Sequence, residues 1–579
     1  MLVSDAVAAV LADFGADTVF GVVGSGNFHV TNGLTARGAR FVAARHECGA
    51  ASMADGWARI SGRPGIVSVH QGPGLTNAMT GITEAAKSRT PMLVLAADVA
   101  ASAVRSNFRI DVAALASAVG AVPARLHSAE FAVDDTVRAY RTAAEDRRTV
   151  ILALPLDVQA AECAAPPAEL LDAAKAAAGT SATPATWPAL TGSARDQARG
   201  PGERARLLRE SAGPEAPSRL AAAIRRAERP VFIAGRGARN AGARADLERL
   251  ADSCGALLAT SAAAKGLFRG NRWDLDISGG FASPLAAELI RGADLVVGWG
   301  CALNMWTMRH GALVGPDTVV AQVDIEPGAL GGHRPIHLGV IGDVADVARA
   351  VRAAWGDAGV PGYRTDELSK RIGDHIRWRD VPYTDESDGR QIDPRTLTIA
   401  LDDILPAERI VAVDSGNFMG YPSMYLSVPD ADGFCFTQAY QSIGLGLASA
   451  IGCAIARPDR LVVAALGDGG ALMGISELET AVRLGLPMVI VVYDDAAYGA
   501  EVHHFGPDSH PLDTVRFPPV NIAKIAKGFG CAAAKVRQVS DLSTVKEWLD
   551  GPRDSPMLID AKITSERGSW WLEEAFRGH

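Results

Sequence analysis

The chain has 579 residues, 48% of them apolar and 21% charged, with a formal net charge of −9. At roughly 100–200 residues per domain, this length predicts about three domains, each able to bury a core. The acidic balance, with no Lys/Arg stripe, argues against nucleic-acid binding, and no apolar run reaches the roughly 18 residues of a membrane-spanning helix.

Seven scattered cysteines form no CxxC pair. That pattern argues against a disulfide framework or a zinc site and fits a reducing compartment. The opening MLVSDAVAAVLADFG reads as a capped amphipathic helix, not a signal peptide, so a cytoplasmic location is expected.

The first block spans 1–161. A helix over Ser4–Phe14 stops at Gly15, and a strand over Thr18–Val23 runs into Gly24-Ser25-Gly26, with His29 just beyond. A strand over Arg40–Ala44 leads to Arg45-His46-Glu47 and a helix through Ile60. Another, Gly65–Val69, leads to His70-Gln71-Gly72-Pro73-Gly74 and a helix through Lys87, followed by strand Pro91–Ala96. Alternating elements of this kind predict a doubly wound parallel sheet, whose ligands gather where strands end. Taken alone, Glu47 reads first as an acid at a helix N-terminus, where the dipole favours it. His70 and Gln71 read equally as polar strand-end residues, and Ser25 and His29 as loop residues near the same edge.

Residues 162–216 are rich in Ala, Pro, Gly, Ser and Arg without a sustained apolar period, and are expected to be a linker. A second α/β block follows at 217–355, with strands at Pro230–Ala234, Asp294–Gly298 and Val319–Val323. Its Gly235-Arg236-Gly237 and Gly242 only loosely match a dinucleotide fingerprint, because the third glycine is misplaced. Residues 356–390 are charged and connective.

The last block, 391–579, carries the most specific chemistry. Strand Val411–Val413 ends at Asp414-Ser415-Gly416-Asn417-Phe418. Strand Leu461–Leu466 ends at Gly467-Asp468-Gly469-Gly470, a helical pattern runs on to Leu484, and strand Pro487–Tyr493 ends at Asp494-Asp495. A right-handed crossover pairs these two strands in parallel, so Asp468 and Asp495 face one crevice. Two carboxylates held together call for a cation, and oxygen ligands suit Mg²⁺ or Ca²⁺. Exposed glycine amides at a helix entrance suit an anion. Metal and anion at one sheet edge point to a diphosphate, although Asp-Gly after a strand is also ordinary turn chemistry.

GDGG followed by Asp494-Asp495, the RHE segment at 45–47 with MADGWARISGRPG close behind, and GPGLTNAMTGI at 72–82 together resemble the thiamine diphosphate (ThDP) enzyme superfamily. The nearest resemblance is to the acetolactate-synthase-like branch, with pyruvate and benzoylformate decarboxylases as relatives. It implies three doubly wound α/β domains: pyrimidine-binding, central and diphosphate-binding. It implies Mg²⁺ held by Asp468, Asp495 and the carbonyl of Ala497. Gly416, Asn417 and Phe418 would touch the diphosphate with Gly467, Gly469, Gly470, Tyr498 and Gly499. Ile443 would wedge the cofactor into its bent form, and the Gln441 carbonyl would accept from its amino group. Glu47 would hydrogen-bond the aminopyrimidine ring nitrogen, with Ser25, His29, His70 and Gln71 lining the substrate side.

Many relatives carry Asn-Asn or Asn-Asp where this chain has Asp494-Asp495. A central domain of this kind holds FAD in acetolactate synthases and is empty in many relatives; the glycine spacing here leans against FAD. Glu501, followed by His503 and His504, matches a glutamate of pyruvate-decarboxylase-like enzymes, where acetolactate synthases carry an apolar residue. The tail with Trp570-Trp571 is expected to fold over the site or form an interface.

The implied activity is decarboxylation of a 2-oxo acid and ligation of the resulting enamine to a second carbonyl. The alternatives are a decarboxylase releasing an aldehyde and a silent ThDP-binding paralogue. Glu47 would serve a cofactor bound by a neighbouring subunit, so a homodimer is the expected minimum and a homotetramer the expected assembly.

Overall fold

The computed structural model describes residues 1–166, 201–240, 242–356 and 359–575. They build three six-stranded sheets in which every strand pairing is parallel. The first holds β1 (Thr18–Gly21), β2 (Arg40–Ala43), β3 (Gly65–Val69), β4 (Met92–Asp98), β5 (Val122–Arg125) and β6 (Thr149–Pro155), in the order β2-β1-β3-β4-β6-β5. The second holds β7 (Pro230–Ala234), β8 (Leu257–Thr260), β9 (Asp274–Ile277), β10 (Leu295–Trp299), β11 (Val319–Asp324) and β12 (Leu338–Ile341), in the order β12-β11-β10-β7-β8-β9. The third holds β13 (Arg409–Val413), β14 (Phe434–Phe436), β15 (Leu461–Gly467), β16 (Met488–Asp494), β17 (Ala532–Val536) and β18 (Met557–Lys562), in the order β14-β13-β15-β16-β18-β17.

The first and third sheets therefore share one topology, while the central sheet has the order of a dinucleotide-binding fold. Interior strands such as β4, β6, β15 and β16 read as continuous apolar runs because helices cover both faces. Edge strand β5 alternates between half-buried and exposed residues, and it tolerates Pro123 because one side of an edge strand needs no ladder bond.

One core runs from the first domain into the third. Helix Glu47–Ser61, after β2, crosses helix Gly446–Ala456, which occupies the equivalent place after β14. Gly56 and Gly452 make the approach possible: a Cβ on the first would strike the Ser449 carbonyl, and on the second the Met53 carbonyl. Alanine at either position would push the helices apart, an overpacking cost of about 1–3 kcal/mol.

Most of the expected linker at 162–216 lies outside the described residues. Helix Pro201–Ala212 falls within it and packs on β12 with Leu207 buried, so the chain has joined the central unit before its composition changes. Helix Asp366–His375 likewise lies in the connective stretch at 356–390, capped by Thr365 and inserting Ile372 into the central core. The single helical pattern expected between β15 and β16 is divided into Asp468–Met473 and Glu477–Arg483. Among the described residues no helix is long and apolar enough to cross a membrane.

Candidate active site

In the third sheet β13 and β15 are neighbours whose connections leave in opposite directions, to β14 on one side and β16 on the other. Such a switch point opens a crevice at the strand carboxyl ends. Segments 414–418, 441–446, 467–470 and 494–499 converge there.

The glycines have individual reasons. Gly416 has φ 141°, a backbone open to glycine. A Cβ on Gly467 would come within 3.1 Å of the Phe418 ring, and one on Gly469 within 2.7 Å of the Tyr498 ring. A Cβ on Gly470 would meet the Asp414 carboxylate, and one on Gly499 the Asp495 carboxylate. The result is a floor of bare backbone that suits an anion.

Asp414, which was not singled out as a site residue, organises this floor. It is fully buried and accepts the Gly444 N–H at 2.9 Å and the Leu445 N–H at 3.3 Å; burial pushes its carboxyl up to about 6. It thereby ties the segment carrying Gln441 and half-buried Ile443 to the end of β13. Gln441 itself has φ 61°, unusual for a residue with a side chain. The signal for Asp414 was available: an acid directly after an apolar strand.

Burial, then the charge of Asp494, pushes the Asp468 carboxyl up to about 7. Burial, then the charge of Asp468, pushes Asp495 up to about 8. Two neighbouring carboxyls that resist ionising together would be relieved by a cation between them. The antiparallel bridge to residues 515–517 uses the Ala496 carbonyl and the Tyr498 N–H, which leaves the Ala497 carbonyl unclaimed among the described residues. This is an all-oxygen donor set, fitting Mg²⁺ or Ca²⁺. Among the described residues no three His, Cys, Asp or Glu side chains converge, so a bound anion and water would complete the shell. Asp494 is paired with Lys562, while its charge still acts on Asp468.

The matching switch point of the first sheet, between β1 and β3, carries the second group of predicted residues. Glu47 Oε2 accepts from Asn77 Nδ2 at 3.1 Å, and its other oxygen lies over Gly74. His70 Nδ1 accepts the Gly26 N–H at 3.1 Å, which leaves Nε2 to carry the proton of a neutral ring. The ring stands edge-on to Phe108 at 5.3 Å. Gln71 is buried against Gly26, and its Oε1 has no hydrogen-bond partner among the described residues. Ser25 is exposed on the same loop. His29 is exposed on helix Phe28–Ala36, its ring edge-on to Phe28, and no hydrogen bond joins it to Glu47, His70 or Gln71. Asn77 and Phe108 escaped the sequence reading because an exposed amide and a lone loop aromatic carry no pattern.

Glu501 is half-buried in the first turn of helix Gly499–Phe505 and makes no ion pair among the described residues. His503 packs on Gly568; its Nε2 is buried without a partner among the described residues, and burial pulls its pKa down. The tail packs on its own domain and on the central one, where Trp571 meets Phe281 and Trp306 and Arg309 lies over Trp570. Ser569 donates to the Asn417 carbonyl at 2.6 Å, and the Trp571 indole donates to the same oxygen at 3.1 Å. A cavity of about 810 Å³ is lined by His503, His504, Tyr421, Trp570 and others, but by neither Asp468 nor Asp495.

In the central domain Gly235 and Gly237 serve packing between the β7 and β10 loops. A Cβ on either would run into Gly300, and Gly300 itself has φ 56°.

Three family models match the chain. Residues 1–116 match the thiamine pyrophosphate enzyme N-terminal TPP binding domain, 218–351 the central domain and 414–561 the C-terminal TPP binding domain. A probable 2-ketoarginine decarboxylase of Pseudomonas aeruginosa is 29% identical, over 93% of this chain and 90% of that protein. A sulfoacetaldehyde acetyltransferase of Rhodobacter capsulatus is 27% identical, over 99% and 96%. An acetolactate synthase of Mycobacterium bovis is 23% identical, over 98% and 89%. In structure the chain resembles a ThDP-dependent 4-hydroxybenzoylformate decarboxylase of Rhodococcus jostii, with TM-score 0.77 at 21% identity, covering 98% of this chain and all of that one.

Proposed function

Because the chain belongs to the thiamine pyrophosphate enzyme family, we propose that it is a ThDP- and Mg²⁺-dependent enzyme that decarboxylates a 2-oxo acid and ligates the product carbon to a second carbonyl. One observation carries the reading: Asp468 and Asp495 lie together beside a bare glycine floor, on a chain that also presents Glu47 at the matching edge of its first sheet. Asp468, Asp495 and the Ala497 carbonyl would hold the metal. The amides of Gly416 and of 467–470 would hold the diphosphate, and Ile443 would support the bent cofactor. Bound there, ThDP supplies an acidic thiazolium carbon and the electron sink that a 2-oxo acid needs to lose carbon dioxide.

Glu47 is the proton-handling residue, with Asn77 fixing the direction of its carboxyl. His70, oriented through Nδ1, presents an N–H to a substrate carboxylate or carbonyl. The family resemblance, in which this glutamate serves a cofactor held by a neighbouring subunit, supports a homodimer as the working unit.

A second reading, release of an aldehyde without ligation, is favoured by Glu501. Its unpaired carboxyl could deliver a proton to the product carbon, and two of the relatives are named as decarboxylases. Purified protein with ThDP, Mg²⁺ and a panel of 2-oxo acids decides between them. Carbon dioxide release with a hydroxy-ketone product supports ligation. An aldehyde supports the second reading, and no carbon dioxide from any acid refutes both.

A further inference from the structure

Two buried carboxylates cross between the terminal domains in opposite directions. Glu477 belongs to the third domain and is 2% exposed. Its Oε1 accepts the backbone N–H of Arg45 at 3.0 Å and of His46 at 3.1 Å, the two residues directly before Glu47. Its Oε2 accepts the Thr480 hydroxyl at 2.6 Å. The fit is tight, since a Cβ on Gly49 would strike this carboxylate.

Glu84 belongs to the first domain and is 1% exposed. Its Oε2 accepts the backbone N–H of Tyr440 at 2.7 Å, and Oε1 that of Ala439 at 3.2 Å. These two residues directly precede Gln441, the left-handed residue before Ile443. Arg59 compensates the charge of Glu84 at 2.8 Å and spans the same junction, donating to the Phe436 carbonyl at 2.8 Å.

The arrangement is reciprocal. Each domain sends one buried acid to hold the backbone leading into the other domain's half of the cleft. A buried carboxylate is costly unless its lone pairs are filled, and here backbone amides fill them. Hydrogen bonds to charged groups are stronger than those between neutral ones. Local stability would be served equally well by apolar packing; what the acids add is direction, since each fixes two consecutive peptide planes.

We propose that Glu477 is a positioning residue for Glu47, and Glu84 a positioning residue for the Gln441–Ile443 segment. The pair locks the two half-sites of one chain into a single block. The proposal rests on the reading of Glu47 and Ile443 given above. On the homodimer assignment each centre takes one half-site from each chain, so in a dimer of identical variant chains a change at Glu477 reaches the Glu47 half of both centres and a change at Glu84 the Gln441–Ile443 half of both.

Reach and charge can be separated. Glu477→Gln keeps an oxygen at the same reach, whereas Glu477→Asp keeps the charge and withdraws it by one methylene. Positioning predicts that the Gln variant exchanges the ThDP C2 proton within about threefold of wild type. The Asp variant should slow by about 10–100-fold, since a misplacement near 1 Å can cost that much, while Mg²⁺–ThDP affinity stays unchanged. A second readout needs no cofactor. Amide hydrogen exchange of 44–48 should quicken in Glu477→Asp and not in Glu477→Gln, with 439–441 unaffected; Glu84→Asp should show the reverse pattern. Equal protection in wild type and both Asp variants overturns the proposal, as does a Gln variant as impaired as Asp. Failure of the wild-type protein to bind ThDP would instead remove the functional reading, while the exchange data would still decide whether the two acids hold these segments.

Discussion

Asp494 and Asp495 are consecutive, yet their carboxylates face different partners: Asp494 is paired with Lys562, whereas Asp495 is set against Asp468. Lys562 lies at the end of β18, beside the end of β16, and has Asp560 at 2.8 Å as a further partner. An extra carboxylate beside a diphosphate would repel it. Pairing with Lys562 offsets part of that charge on the flank of the sheet, while Asp494 still favours the protonated forms of Asp468 and Asp495.

The metal assignment follows from this division. Asp468→Ala should abolish Mg²⁺-dependent ThDP binding, since it removes the central ligand. Asp495→Asn should weaken it only modestly, because an amide oxygen still coordinates. Asp494→Asn should change it least of the three. Calorimetric titration of each variant checks the order; an Asp494→Asn loss matching that of Asp468→Ala would place the ion on the wrong carboxylate.

The same pair sets a pH dependence. In the ion-free folded protein Asp468 and Asp495 hold protons up to about 7 and about 8, against 3.8 for an unperturbed aspartate. Between those values the folded state binds more protons than the unfolded chain, so stability falls as pH rises. The ion-free protein should therefore lose thermal stability across roughly pH 4 to 8, and Asp495→Asn should flatten that slope. Mg²⁺ should stabilise more at pH 8 than at pH 5, because it binds the ionised pair. Melting curves in chelator at several pH values test this. Parallel slopes for wild type and Asp495→Asn would remove the argument.

Glu47 carries the proton chemistry. Glu47→Gln should leave ThDP bound, since the diphosphate and metal contacts lie on the third domain. It should slow C2 proton exchange by ~10²–10⁴-fold, the usual contribution of a general acid–base group. NMR of the exchange measures it directly, and an unchanged rate would return Glu47 to being a helix-terminal acid.

The strands that end at the site were legible because buried parallel strands are apolar runs that stop at glycine or aspartate: β1, β3, β13, β15 and β16 lie within one to two residues of expectation. Elements such as β5, β9 and β14 were not delineated. β14 has three residues, and β5 and β9 are partly exposed, so neither length nor hydropathy marks them. Site residues next to glycine-rich turns were readable for the same reason. Glu84 and Glu477 were not, since an acid inside a helical pattern reads as a solvated face. Only the packing of helix Glu47–Ser61 on Gly446–Ala456 brings the two domains close enough to bury them. The shared topology of the first and third sheets was equally hidden, because it resides in strand order and not in repeated sequence.

Glu501 separates ligation from simple decarboxylation. It lies one turn beyond the Ala497 carbonyl, on a helix whose first residue abuts Asp495. It is half-buried, and among the described residues no ion pair engages its carboxyl. His503 is turned away against Gly568, leaving Glu501 as the acid of its helix. A carboxylic acid placed here can protonate the product carbon, which ends the reaction at an aldehyde. It can instead protonate the oxygen formed when an acceptor carbonyl adds, which completes ligation. Either role falls after carbon dioxide leaves. Glu501→Gln should therefore release the first equivalent of carbon dioxide at close to the wild-type rate in a single turnover, while steady-state turnover drops by about 10²-fold. The product split identifies the role: a lost aldehyde with surviving ligation means the acid serves the carbon, and the opposite means it serves the oxygen. If turnover and product ratio both match wild type, Glu501 is a surface residue, and the second functional reading loses the observation that favours it.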